Sequence, residues 1–431
     1  MANRYPFISY ESLRSVMTHL DPLVRLQIST HCPSLQNLSR ILPTKIKYLR
    51  ITRTAFKVDN TTYKIGIIKQ YHHRKNPKVI KEENAQGGRP YDTDQYGIER
   101  NQRMSESLES LERQLEMGQR KIRQASWNQF SRFEVTEVIL DVLRAKRSYA
   151  RPPFTVYVQL MMIPDDGPRK LQYLVYNKTL QEAKDHFMLK LFGTNTPIHV
   201  KNMHVARGGF LHPAEYGAFV DEDWLMTIPE YSLKSPYFPF KIRRLRVSNL
   251  NINWDIPESL NAIRPVLDGS PLKMIKVNCS QNIPDDPIIQ TSKFLNITGV
   301  SHSGILRRFT NERIHLETCD FTERDVGNMV EHWQQIGIKI GTYISIGFDY
   351  KNDVQILLNS FRGLSGARSE DFMELRFTKF PECVILPIGV HSELSVYGET
   401  PKSQDADYCK TKWIVRIKIH GKGFADNLFM D

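Results

Sequence analysis

Apolar positions in the first 45 residues recur at spacings of three and four. Leu13, Val16, Met17 and Leu20 mark one helical face, with Ser9 or Ser12 placed to cap it and Asp21-Pro22 to end it. Proline disfavours helix in the residue before it, which sets a break there. Val24, Leu26 and Ile28 continue into a second short helix that ends near His31-Cys32-Pro33. Leu35, Leu38 and Leu42 make a third, stopped by Pro43. Past residue 45 the period changes. Ile46–Ile51 and Thr62–Ile68 read as paired strands with Asp59-Asn60 as the turn signal, and residues 71–103 turn polar and read as a mobile basic loop. Met104, Leu108, Leu111, Leu115 and Ile122 then form a heptad seam, which predicts a helix over 104–128.

From about residue 130 to 425 the chain repeats a strand-then-helix rhythm. Strands are expected at Phe154–Leu160, Leu171–Tyr176, Ile198–Val205, Leu245–Val247, Met274–Val277, Phe294–Ile297, Arg313–Glu317, Tyr343–Phe348, Phe372–Phe377 and Lys412–Ile419. Helices are expected from Thr179 to Phe192, near 257–268, and over 322–336 with Val326, Met329, Val330 and Trp333 inward. The fold class is therefore α+β or α/β. A small helical unit (1–45) precedes a basic strand segment with its loop (46–103), the heptad helix, and a βα-repeat region (130–425). The short strands at 245, 275, 295 and 314 have the spacing of an irregular leucine-rich-repeat-like array, whose strand face would suit protein binding.

Charge adds one feature to this picture. The 431 residues carry 59 Lys+Arg against 47 Asp+Glu, a net +12. Residues 40–90 hold 13 of the bases and three acids. Arg50, Arg53, Lys69, Arg74, Lys75 and Lys78 are the candidate anion-binding residues there, and Tyr48, Phe56, Tyr63 and Tyr71 are interleaved with them. This is the pattern of a nucleic-acid or anionic-surface binder, although a solvated basic sheet face gives the same counts.

Catalytic signatures are missing. The chain has no GxxxxGK[ST] loop, no GxGxxG after a strand, no GxSxG elbow and no HExxH. Gly337–Gly341 reads as a helix stop, Asp165-Asp166 and Asp285-Asp286 as turn and loop acids, and His72-His73, His199 and His204 as histidines without ligand-spaced partners. The five cysteines are dispersed, which fits free thiols in a reducing compartment. No apolar h-region opens the chain and no stretch reaches the length of a membrane span. An intracellular protein without enzymatic activity, cofactor, metal or membrane is expected.

The N-terminal residues resemble an F-box. Pro6 leads, Leu13, Val16 and Leu20 follow, Asp21-Pro22 forms the turn, and Leu23, Arg25 and Leu26 open the next helix, with Cys32 and Leu35 behind. Tyr5 stands where the family usually has leucine, and its usual tryptophan is absent. The runs PheIleSerTyrGluSerLeuArgSerValMet, HisCysProSerLeuGlnAsnLeu and LeuProThrLysIleLysTyrLeuArgIle are similar to the nematode F-box C family. So are GlySerProLeuLysMetIle (269–275) and GluHisTrpGlnGlnIleGlyIleLysIleGlyThr (331–342), in the part corresponding to that family's associated domain of unknown function. The resemblance implies an adaptor that binds a Skp-type linker, and through it a cullin-based ubiquitin ligase, while another part holds a protein cargo. Pro6, Leu13, Val16, Leu20, Pro22, Leu23 and Leu26 are the linker-docking candidates, each equally able to serve the bundle's own core. Two other readings stand beside it: an interaction module whose F-box has decayed, and a nucleic-acid or anionic-surface binder through residues 40–90.

Overall fold

A computed structural model describes residues 9–52, 55–72, 75–98, 138, 140–192, 198–206, 245–253, 255–278, 283–301, 303–319, 323–371, 380, 382–406 and 408–423. Pro6, Arg53, Arg74, the expected heptad helix over 104–128 and the expected strand at Phe372–Phe377 lie outside these. The chain is α+β and divides into two compact units, 1–198 with 208–243, and 199–207 with 244–431.

The first unit opens with three helices, α1 (Tyr10–His19), α2 (Pro22–His31) and α3 (Pro33–Ile41). Ser9 Oγ accepts the backbone N–H of Ser12 at 3.2 Å and so caps α1. Proline occupies the first position of α2 and of α3, where its missing N–H costs nothing. Met17, Leu38 and Leu42 form the core of this bundle, with Leu13, Leu20 and Ile28 packed on it. Five antiparallel strands follow in chain order: β1 (Thr44–Ile51), β2 (Ala55–Val58), β3 (Thr61–Tyr71), β4 (Phe154–Pro164) and β5 (Lys170–Val175). The two strands expected to pair directly are separated by β2, which bonds to both. Asp59 makes the tight β2–β3 turn at φ 48°.

The expected mobile loop is instead partly built. Helix α4 (Lys78–Ala85) packs on β3 and buries Ile80 completely. The Asn84 side chain substitutes for a strand, accepting the Lys69 N–H at 3.2 Å and donating to the Lys69 carbonyl at 2.7 Å. A further helical stretch, α5, covers 140–147. Helix α6 (Leu180–Phe192) begins with a reciprocal cap, in which Glu182 N–H donates to Thr179 Oγ1 at 3.2 Å and Thr179 N–H to Glu182 Oε2 at 2.9 Å. Because β4 and β5 extend the sheet of β1–β3, the expected boundary near residue 130 falls inside this unit.

The second unit contains β6 (Ile198–Val205), β7 (Leu245–Ile252), helix α7 (Ile256–Ile263), β8 (Met274–Asn278), helix α8 (Pro287–Gln290), β9 (Phe294–Ser301), β10 (Arg313–Cys319), helix α9 (Glu323–Ile336), β11 (Tyr343–Phe348), helix α10 (Lys351–Arg362), β12 (Arg368–Asp371), β13 (Glu382–Pro387), β14 (Ser392–Glu399) and β15 (Trp413–Gly421). The sheet order is β12-β13-β14-β15-β11-β10-β9-β8-β7-β6. Strands β7 to β11 are parallel and adjacent in chain order. On the other side of β11, β15, β14, β13 and β12 are antiparallel.

Side chains alternate across a strand, so the two faces of this sheet can be read from register. Leu250, Ile275, Leu295, Ile314 and Ile344 stand in one row across β7–β11, and all are buried. Val326, Met329, Val330 and Trp333 of α9 are buried as expected, as are Val354, Leu357 and Phe361 of α10. Helix α10 packs against β11, β13, β14 and β15. The opposite face is polar.

Candidate interaction surfaces

The bundle uses part of the docking set for itself. Leu13 and Leu20 are half-buried against Met17, and Pro22 is buried. Val16 is 52% exposed, and Tyr10, Val24 and Ile41 are apolar side chains of comparable exposure. Leu23 and Leu26 fall within α2, and their side chains lie outside what is described. Arg25 is buried and has a structural task. Its Nε donates to Ser39 Oγ at 3.1 Å, Nη1 to the Pro43 carbonyl at 3.0 Å, and Nη2 to the carbonyls of Ser39 and Leu42. A helix end leaves carbonyls without intrahelical partners, and this one guanidinium satisfies several at once.

The basic candidates do not converge on one surface. Lys69 is 3% exposed, its ammonium lying 5.0 Å from the Phe154 ring centroid. Burial, with Arg89 nearby, pushes its pKa down to about 7. It is therefore not available as a surface anion contact. Lys75 and Lys78 are exposed, and Lys78 lies 3.8 Å from Glu82 one helical turn on. Arg50 is half-buried. Three of the four expected stacking platforms, Phe56, Tyr63 and Tyr71, are core instead, and Tyr48 is half-buried. Phe56 stacks on Tyr63 at 5.0 Å, Tyr63 meets Phe187 at 5.3 Å, and Tyr71 meets Phe154 at 5.3 Å.

The polar sheet face of the second unit is the arrangement that no sequence motif announced. Register places Asn251, Lys276, Asn296, His315, Ser345 and Arg416 in one row across six strands. Asp405, Tyr408 and Lys410 lie over its middle. Arg416 donates from Nη2 to Asp405 Oδ2 at 2.6 Å and also bonds Glu399 and the Tyr343 hydroxyl. Tyr408 donates its hydroxyl to Asp405 and sets its ring edge-on against Phe294 (5.0 Å) and His315 (4.9 Å). His315 Nδ1 is 2.9 Å from Ser345 Oγ, and its Nε2 is 3.5 Å from Glu317 Oε2. The Lys410 backbone N–H donates to Glu317 Oε1 at 2.6 Å. Burial holds the His315 imidazole below its ordinary pKa, against the pull of Glu317. The individual polar residues were too widely separated in sequence, from 251 to 416, to be recognised as a cluster before register was known.

Among the described residues, no group of three or more His, Cys, Asp or Glu side chains is placed to hold a metal ion. No described helix is long and apolar enough to cross a membrane. Cys32 is exposed, Cys383 and Cys409 are buried, and all three are free thiols.

Residues 238–350 match the family model described as a domain of unknown function (DUF3557). The matched segment contains the whole parallel run from β7 to β11. No curated protein and no solved structure matches the chain.

Proposed function

We propose that this chain is a non-catalytic adaptor of the F-box C type, with α1–α3 docking a Skp-type linker and the leucine-rich-repeat-like strand face of the second unit receiving a protein cargo. The single observation that carries the reading is the division of labour in the helical bundle. Its core is built from Met17, Leu38 and Leu42, while Tyr10, Val16, Val24 and Ile41 stay exposed although the bundle does not need them for packing. Apolar side chains left outside a completed core favour a protein partner. Through the linker a cullin would be recruited, and the chain would act by holding cargo near the ligase, with no bond chemistry of its own.

The test is co-expression of the full chain with the Skp-type linkers of its own organism, followed by size exclusion. A stable complex that is lost in Val16→Asp or Val24→Asp, with the chain still folded by circular dichroism, supports the adaptor reading. No complex with any linker paralogue sinks it. One observation favours a second reading, an interaction module with a decayed F-box: Leu13 and Leu20, two of the expected docking leucines, pack in the bundle core. The third reading, a nucleic-acid or anionic-surface binder through residues 40–90, loses Lys69 and three of its four aromatic platforms to the interior.

A further inference from the structure

The polar face of the second unit carries cations that its own carboxylates do not neutralise. Glu399 and Asp405 are taken by Arg416, Glu317 accepts the Lys410 backbone N–H beside a neutral His315, and Glu393 approaches Arg368 at 3.5 Å. Arg313, Lys418, Lys276 and Lys410 have no described carboxylate oxygen within salt-bridge distance. Charge complementarity therefore calls for an acidic partner.

Arg313 is exposed and held in place. It stands on β10, in register with Phe294 of β9 and Tyr343 of β11, and its guanidinium carbon lies 4.9 Å and 5.2 Å from their ring centroids. Rings on both sides fix the planar fork without using its N–H donors, which preorganises it for a carboxylate. The next residue in the same row is Lys418 of β15, whose ammonium lies 5.2 Å from the Tyr397 ring centroid. Arg313 and Lys418 are two strands apart, about 9.6 Å at the usual strand spacing, and a peptide in the polyproline II form, with three residues per turn, advances about 3.1 Å per residue. Such a peptide lying across the strands would bring two side chains three positions apart to Arg313 and Lys418.

We propose that the row Phe294, Arg313, Tyr343 and Lys418 docks an acidic segment of a partner protein in the polyproline II form, with Asp or Glu three positions apart. The proposal rests on reading the strand face as the cargo surface and names the chemistry of what it receives. A nucleic acid is the less favoured occupant, because the rings that would stack on bases are engaged. Phe294 has Arg313 over it and Tyr408 edge-on, and Tyr343 has Arg313 and Arg416 (5.8 Å) over it.

The experiment is fluorescence anisotropy of the full chain with a labelled repeat of Asp-Ser-Ser, its Asn-Ser-Ser counterpart, and a labelled oligouridine. The expected result is binding of the acidic repeat alone, weakened about tenfold by Arg313→Gln, less by Arg313→Lys, and unchanged by Lys75→Gln on the first unit. Circular dichroism and thermal melts confirm that each variant is folded. No binding of the acidic repeat, equal binding of the Asn-Ser-Ser repeat, binding indifferent to Arg313→Gln, or preference for oligouridine overturns the proposal. A chain that co-purifies with a linker and ignores the acidic repeat loses this inference and keeps the adaptor reading. A chain that binds the repeat through Arg313 and takes up no linker does the reverse.

Discussion

The guanidinium of Arg25 donates to the carbonyl oxygen of Leu42 at 2.7 Å, tying the start of α2 to the end of α3 across 17 residues of chain. Bonds from the same group to Ser39 and Pro43 mean that one side chain closes the C-terminal end of the third helix and fixes where β1 begins. Removing a buried charged donor leaves its acceptors unsatisfied, a cost of about 2–3 kcal/mol. Arg25→Met is expected to lower the unfolding free energy by that amount, read as a lower denaturant midpoint. Arg25→Lys should recover a fraction, because an ammonium cannot reproduce the planar fork. Urea titration of both variants checks this, and equal stability of Arg25→Met and the parent would show that the bonds contribute nothing net.

A second relationship, between Gly66 and Gly87, holds α4 to the sheet. A Cβ at Gly66 would stand 2.1 Å from the Gly87 carbonyl oxygen and 2.9 Å from the Gly88 carbonyl carbon. Backbone pairing between Ile67 and Arg89, 2.8 Å in both directions, depends on that approach. Overpacking of this kind costs about 1–3 kcal/mol. Gly66→Ala is expected to lower the melting temperature and to speed amide hydrogen exchange over 78–89. Gly304→Ala, where nothing lies within 4 Å of the new Cβ, should change stability by less than about 0.5 kcal/mol. Equal protection of 78–89 in the Gly66 variant and the parent would remove this account of the contact.

The elements that could be read from sequence are those whose apolar period is local. The i, i+3, i+4 pattern of Val326, Met329, Val330 and Trp333 belongs to one helix and needs no partner to be recognised. Strand β2 was missed because Ala55–Val58 is four residues long and its pairing is decided by β1 and β3 on either side. Helix α4 was missed because its order comes from tertiary contacts of Ile80 and Asn84, against a polar, proline-flanked composition that reads as loop. Helix α10 and the β13–β14 hairpin were missed as well, although their buried positions are conventional. The polar row from Asn251 to Arg416 exists through cross-strand register, a property of the sheet that no window of sequence contains.

Lys69 shows how a counted charge can act against the fold. Its pKa is pushed down to about 7, while in the unfolded chain it titrates near 10.4. Between those values the unfolded state holds the proton more tightly, so stability rises with pH across this window and the contribution is lost as pH falls through about 7. Lys69→Met keeps the stem that packs beside Phe154 and Gly97 and removes the group that must shed its proton. The variant is expected to be more stable at pH 7 by on the order of 2 kcal/mol, after allowing for the lost cation–π contact. Its stability between pH 7 and 9 should also be flatter than the parent's. Urea midpoints at three pH values test both points, and a parent whose stability is level over that range would contradict the burial of the ammonium.

His315 predicts the opposite end of the pH scale. Its ring is buried between Ser345 and Glu317, with Lys276 and Asp405 acting on it at longer range, and desolvation holds its pKa below the ordinary value. Burial, followed by Lys418, depresses His420 in the same direction. A histidine with a depressed folded pKa contributes stability that is complete above about pH 6.5 and is lost as pH falls through the folded value. Glu317 adds a further loss below the ordinary carboxylate range. Burial alone would raise its pKa, but the bonds from His315 and the Lys410 N–H outweigh that and hold it low. The unfolding free energy should therefore fall as pH drops from about 7 to about 5, the unfolded chain taking up protons that the folded one refuses. His315→Gln keeps a partner for Ser345 and cannot titrate, so its slope over this window should be smaller, leaving the share of His420. If His315→Gln and the parent lose stability in parallel, the imidazole is protonated at its ordinary pH in the folded chain. Tyr408 and Lys410 would then have to open above it at mild acidity, which hydrogen exchange at both would register directly.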